Sequence, residues 1–163
     1  MQNSAYINPY NNPMNVELNN FQSESKKSGD HFEDLVYEEL VINGYQNIEK
    51  NVFIPEAGVE VDFRADSHYI EAKGGYEGDK KRPGAKRTDS VKKAIANGAL
   101  IKAVDPEAHY LVYFSCKPTP NSSSDIMINT ALKAGIIDQV IYIEPEKELD
   151  LFDTLFPISG WQE

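Results

Sequence analysis

Hydrophobic spacing along this chain runs from helical to alternating and back. In Gly29-Asp30-His31-Phe32-Glu33-Asp34-Leu35-Val36-Tyr37-Glu38-Glu39-Leu40, the residues Phe32, Leu35, Val36 and Leu40 form one stripe at helical spacing. Asp30 is placed to cap this helix and Asn43-Gly44 to stop it. From Gln46 the period shortens. Val52-Phe53-Ile54 precedes Pro55, and Val59-Glu60-Val61-Asp62-Phe63-Arg64 alternates at period 2 up to a turn at Ala65-Asp66-Ser67. Tyr69-Ile70-Glu71-Ala72-Lys73 then returns into Gly74-Gly75, so the three segments predict an antiparallel meander. Thr88-Asp89 is a cap signal for a helix running to about Val104, which Asp105-Pro106 breaks. A strand over His109 to Ser115, a helix over Ile126 to Ala134 and a strand over Gln139 to Ile143 follow. The pattern is an α-β-β-β-α-β core with one further αβ unit: an α/β domain with a mixed sheet and no internal repeat.

Residues 1–23 hold seven asparagines, two prolines and no Lys or Arg, without a regular period, and read as an irregular N-terminal arm. Residues 24–163 are expected to form a single domain, because a chain of about 150 residues buries enough surface for one core. A hydrophobic content of 40% excludes a disordered chain, and a net charge of -10 excludes a uniformly basic, polyanion-coating protein. The longest apolar runs, such as Leu111 to Phe114 and Val140 to Ile143, fall far short of the ~20 residues that span a bilayer. With no charged-then-apolar leader at its start, the chain is expected to be soluble and cytoplasmic, without a membrane partner. The single Cys116 reads as a small buried thiol.

Alternation sets the strand faces. Val59, Val61 and Phe63 should lie on one side and Glu60, Asp62 and Arg64 on the other; on the next strand Ile70 and Ala72 oppose Glu71 and Lys73. If the apolar sides share the core, Asp62, Glu71 and Lys73 share the other face. Two carboxylates with a lysine two residues beyond the second can hold a hard divalent cation through oxygen, with an ammonium beside it to orient or deprotonate water. Acidic-x-Lys also occurs at Glu24-Ser25-Lys26 and Asp79-Lys80-Lys81, but only Glu71-Ala72-Lys73 follows a strand that carries an aspartate. On spacing alone, an exposed sheet face with solvated ion pairs accounts for it equally well. Glu33 flanks the first helical stripe and can reach the same cavity, yet Asp30-x-x-Glu33 also fits a capping box.

Gly29-Asp30-His31-Phe32-Glu33, then Val61-Asp62, then Glu71-Ala72-Lys73, in that order, resemble the PD-(D/E)xK restriction-endonuclease-like nuclease superfamily over roughly Gly29 to Ser115. The resemblance implies a restriction-endonuclease-like core in which a helix carries an auxiliary glutamate, Glu33. One strand carries a metal-binding aspartate, Asp62, and the next carries Glu71 and Lys73, with the carbonyl of Ala72 lent to the metal. It further implies Mg²⁺ as cofactor, with Mn²⁺ as a substitute, and products with 5′-phosphate and 3′-hydroxyl ends. Val61 stands where the nominal motif has proline. The helix after Lys73 has no glutamine, a residue that many members place near the site.

Charge placement points the same way. From Lys73 to Lys93 there are eight basic residues against three acidic, a local +5 beside -15 on the remaining 142 residues. Lys80, Lys81, Arg82, Lys86, Arg87, Lys92 and Lys93 are therefore expected to contact DNA phosphates, since clustered like charge on an acidic protein costs self-repulsion without a partner. An ordinary solvated loop is the alternative. His31, His68 and His109 show no metal-ligand spacing and read as surface or edge residues, and Gly74-Gly75 as a close turn or strand end. Tyr110, Tyr113 and Phe114 read as strand packing, while Trp161 suits a clasp or a protomer contact.

The expected activity is that of a Mg²⁺-dependent DNA endonuclease of site-specific restriction or homing type, acting on duplex DNA. Duplex cleavage needs two sites and this chain offers one, so a homodimer or higher symmetric oligomer is expected. A structure-specific nuclease such as a junction resolvase, a non-catalytic DNA-binding module of the same fold, and a protein-binding role for the acidic surface are the alternatives.

Overall fold

A computed structural model describes residues 31–75 and 84–144. Residues 31–42 form α1, whose Phe32, Val36 and Leu40 are fully buried at successive turns. It ends as its sequence dictates: Gly44, at φ +82°, sends its N–H to Val41 O and Tyr45 sends its own to Leu40 O, a Schellman closure that a side chain at residue 44 would strain. The strands are β1 (Glu49–Ile54), β2 (Val59–Ala65), β3 (His68–Lys73), β4 (His109–Phe114) and β5 (Gln139–Tyr142); α2 (Thr88–Val104) and α3 (Ser123–Lys133) complete the described elements. The sheet order is β1-β2-β3-β4-β5, antiparallel from β1 to β3 and parallel from β3 to β5. The meander and the α-β-β-β-α-β order with its extra αβ unit are thus those of the hydrophobic pattern.

Boundaries differ where local chemistry intervenes. A 3₁₀ turn at Gly84–Lys86 leads into α2, so Arg87, with no side-chain cap, holds the cap position instead of Thr88 or Asp89. In α3, Ser122 Oγ accepts from Asp125 N–H and starts the helix three residues before Ile126. The N-terminal arm, Asp30, Lys80, Lys81, Arg82 and Trp161 lie outside the described residues. Among the described residues no helix is long and apolar enough to cross a membrane. Cys116 is buried, as are Tyr110, Tyr113 and Phe114.

The sheet is covered on both faces. One core joins Val59, Val61, Tyr110, Val112 and Phe114 to α2 and α3; the other joins Phe63, Ala65, Ile70, Ala72, Leu111 and Tyr113 to α1. This corrects the expectation that Val59, Val61 and Phe63 share a face: Val61 and Phe63 feed opposite cores. The same switch occurs on β1, where Val52 and Ile54 pack toward α2 and α3 while Lys50 Nζ lies 4.7 Å from the Tyr37 ring of α1. Between them stands Asn51 at φ +52°, outside the extended region, in a conformation that Asn tolerates better than most side chains. Pairing resumes in unchanged register on either side, at Lys50↔Phe63 and Val52↔Val61, so Asp62 sits opposite the irregular residue.

A second anchor ties the C-terminal end of α2 to the sheet. Lys102 Nζ donates to Asp138 Oδ2 at 2.8 Å and to the Ala108 carbonyl, and Asp138 accepts the Tyr110 N–H at 2.7 Å. Partial burial works to raise the Asp138 carboxyl, but Lys102 and the Tyr110 N–H outweigh it and hold the group below its ordinary value. A lowered carboxyl contributes stability above the unfolded value of about 3.9 and loses it as pH falls through the folded one. The melting temperature of Lys102→Met should therefore lie below the parent's at pH 6, with the gap narrowing toward pH 3.

Candidate active site

The β2–β3 ladder closes early. It pairs Ala65 with His68, Arg64 with Tyr69 and Phe63 with Ile70, and regular pairing extends no further. Beyond that point the Asp62 carboxylate takes the place of a backbone acceptor: Oδ2 accepts the Ala72 N–H at 2.6 Å. Asp62 thereby enters the gap between the strands on the side of Glu71, and β3 alternation brings Lys73 to that same side. The arrangement inferred from the strand pattern is present, but it is not a solvated face. The Glu71 side chain is only 4% exposed, Lys73 21% and Asp62 20%.

Lys73 occupies the centre of this group. Its ammonium forms a close ion pair with Glu71 Oε1, stands 3.7 Å from Asp62 Oδ2 and reaches the Ala72 carbonyl at 3.5 Å. Burial pushes the Glu71 carboxyl up and Asp62 adds to this, while Lys73 and an amide from α2 oppose it. Burial also disfavours the Lys73 ammonium, but the charges of Glu71, Asp62 and Glu33 overcome it and raise the group above its ordinary value. Lys73 is therefore a firmly protonated cation in this state.

Glu33 reaches the site from α1 through its charge on Lys73. That approach depends on Gly74: a Cβ there would lie 2.1 Å from the ring of Phe32, the residue next to Glu33, so only glycine lets α1 settle this close to the end of β3. Gly74 is a packing residue for the helix that carries Glu33, beyond the strand end its sequence suggested. Among the described residues, no three His, Cys, Asp or Glu side chains gather into a metal-holding group, so Glu33 does not join Asp62 and Glu71 as a third close ligand.

The donor set nevertheless fits a hard cation. Two carboxylates and one carbonyl converge on a positive centre, and Mg²⁺ ordinarily keeps several waters and takes only one or two protein carboxylates. Asn97, to which strand and helix spacing assigned no role, supplies the amide from α2: its Nδ2 donates to Glu71 Oε2 at 3.3 Å. The signal that could have found it is a polar residue inside the buried stripe of Val91, Ala94, Gly98 and Ile101.

Of the expected DNA-contacting residues within the described chain, Arg87, Lys92 and Lys93 are exposed and Lys86 is partly buried. Lys93 lies one helical turn before Asn97 on the same side of α2, whereas Lys92 borders the apolar groove between α2 and α3. Parallel pairing of β3 with β4 also brings His68 beside His109, with ring centroids 5.2 Å apart, a contact their sequence separation concealed. Compared with protein-family models, with curated proteins and with solved structures, the chain matches none.

Proposed function

We propose that this chain is a metal-dependent DNA endonuclease with a restriction-endonuclease-like core that hydrolyses phosphodiester bonds. The observation that carries the reading is the cluster of Asp62, Glu71 and the Ala72 carbonyl around a partly buried cation, the ammonium of Lys73. Holding one buried and one partly buried carboxylate together is costly unless positive charge accompanies them, so the site suits a cation at this point.

Asp62, Glu71 and the Ala72 carbonyl are the groups that would hold Mg²⁺ or Mn²⁺. A divalent cation bound there supplies electrostatic stabilisation of charge building on the phosphate and on the leaving oxygen. Lys73 carries its proton at Nζ, where it can pair with a phosphate oxygen or orient the attacking water. Glu33, whose charge reaches Lys73, would bind a metal-held water or a second ion. Asp62 also acts on the backbone, because by accepting the Ala72 N–H it anchors the residue whose carbonyl faces the site. Lys93 and Arg87, with the basic residues from Lys80 to Lys86, would follow the flanking phosphates. Each chain supplies one such site, so duplex cleavage calls for a homodimer or higher symmetric oligomer.

The test is incubation of the purified chain with supercoiled and branched DNA, in Mg²⁺ and in EDTA. Nicked or linear products in Mg²⁺ alone, with ligatable 5′-phosphate ends, are the expected result, and preference for branched DNA would mark a junction-specific enzyme. DNA binding with no cleavage in Mg²⁺ or Mn²⁺ would overturn the enzymatic reading and leave a DNA-binding module.

A further inference from the structure

We propose that Asn97 is a positioning residue that dedicates one oxygen of Glu71 to the cation. The inference rests on the nuclease reading above and assigns a residue that the motif does not contain. Glu71 divides its carboxylate between two partners: Oε1 meets the Lys73 ammonium and Oε2 accepts from Asn97 Nδ2 at 3.3 Å. An unrestrained carboxylate could rotate and offer either oxygen, or both. The Asn97 amide removes that freedom, so the cation meets a single oxygen in a fixed orientation.

Asn97 can do this because α2 is locked against the sheet on both sides of it. One turn earlier, the Ala94 carbonyl accepts the buried Tyr110 hydroxyl at 2.9 Å. At the next residue, a Cβ on Gly98 would come within 2.7 Å of the Tyr110 ring and 2.8 Å of the Ile136 carbonyl, so the helix backbone lies directly on β4. Burial pushes the Tyr110 phenol well above its ordinary value, with Glu71 and Asp62 adding to the effect, so it remains a donor to α2. Tyr110 thus fixes the height of α2, and α2 fixes the amide over Glu71. Groups that orient a ligand from behind it commonly change metal affinity by about 10- to 100-fold when removed.

The experiment is calorimetric titration of the full chain with Ca²⁺ or Mg²⁺ alone, alongside thermal melts, for the parent, Asn97→Leu, Asn97→Ala and Asn97→Gln. Leu and Ala lack the donor, while Gln keeps an amide on a longer arm. About a tenfold loss of affinity in the Leu and Ala variants is expected. Their melting temperatures should fall only modestly, since better helix formation offsets part of the hydrogen bond lost to the buried Glu71. Gln should restore most of the affinity. Affinity equal to the parent's in the donor-less variants, or affinity that falls only in step with stability, or a Gln variant as weak as Leu, would overturn the assignment. A parent that binds neither cation would overturn the nuclease reading itself, and this inference with it, a pattern distinct from a binding parent with unaffected variants.

Discussion

Asp62→Asn and Lys73→Ala should each lower DNA cleavage on the order of 10³-fold, the scale seen when one electrostatic group is removed from a preorganised site. The two should fail differently. Asn at 62 keeps a side-chain oxygen able to accept the Ala72 N–H, so the strand gap stays as it is while the negative charge facing Lys73 disappears. Divalent-ion binding should weaken with it. Lys73→Ala leaves both carboxylates in place but removes their internal counter-ion, so ion binding should persist or strengthen while turnover is lost.

Stability separates them further. Burial already raises Glu71, and Lys73 is the largest of the groups that oppose that shift. A raised carboxyl contributes stability below its unfolded value and loses it as pH climbs through the folded one. Without Lys73 the folded value rises again, so Lys73→Ala should be destabilised more at pH 8 than at pH 5, and Mg²⁺ should recover part of the loss at pH 8. Near-normal turnover in either folded variant would end the assignment, whatever the melting data.

Gly74→Ala should be the most damaging single-methyl change near the site. Its Cβ would fall 2.1 to 2.2 Å from two ring carbons of Phe32, which is itself 1% exposed and packed in the α1 core. Overpacking of this kind typically costs about 1–3 kcal/mol. The strain can be relieved only by moving α1 away from β3, which also withdraws Glu33 from Lys73. The variant should therefore lose both stability and cleavage. Pairing it with Phe32→Leu, measured as a double-mutant cycle in denaturant, should give a favourable coupling, because the smaller side chain vacates the space that the methyl needs. Strict additivity would mean that the close approach of Gly74 and Phe32 does not govern the position of α1.

Much of this arrangement was legible in the residues. Val59 to Arg64 and Tyr69 to Lys73 announced two adjacent strands by their alternation, and Asp62 shares a side with Glu71 and Lys73 because it alternates with Phe63, which pairs with Ile70, whereas Val59 and Val61 break the premise that all the apolar residues face one core. Depth was not legible. Whether Glu71 faced water or a second layer depended on α2, whose packing stripe says nothing about which sheet face it covers. The exchange of faces between Val61 and Phe63 was equally hidden, since VEVDFRA alternates without a break and the irregular backbone beside it, at Asn51, lies on the neighbouring strand. Asn97 was readable in principle as an amide in an apolar stripe, but its purpose needed Glu71 opposite it. Gly74 looked like punctuation because the ring it admits is about forty residues away in sequence.

The irregularity around Asn51 and Asp62 has a bearing on how this chain would respond to selection. A regular ladder through Asn51, Asp62 and Ala72 would satisfy its amides by backbone pairing alone and would leave the Asp62 carboxylate no opening between the strands. Mutations that mend the sheet there add heat resistance at the expense of the cluster around Lys73. A thermostability screen run without an activity filter would accumulate replacements at positions 51 and 62 among its earliest winners, and the survivors would be sturdier proteins with nothing left to hold a cation.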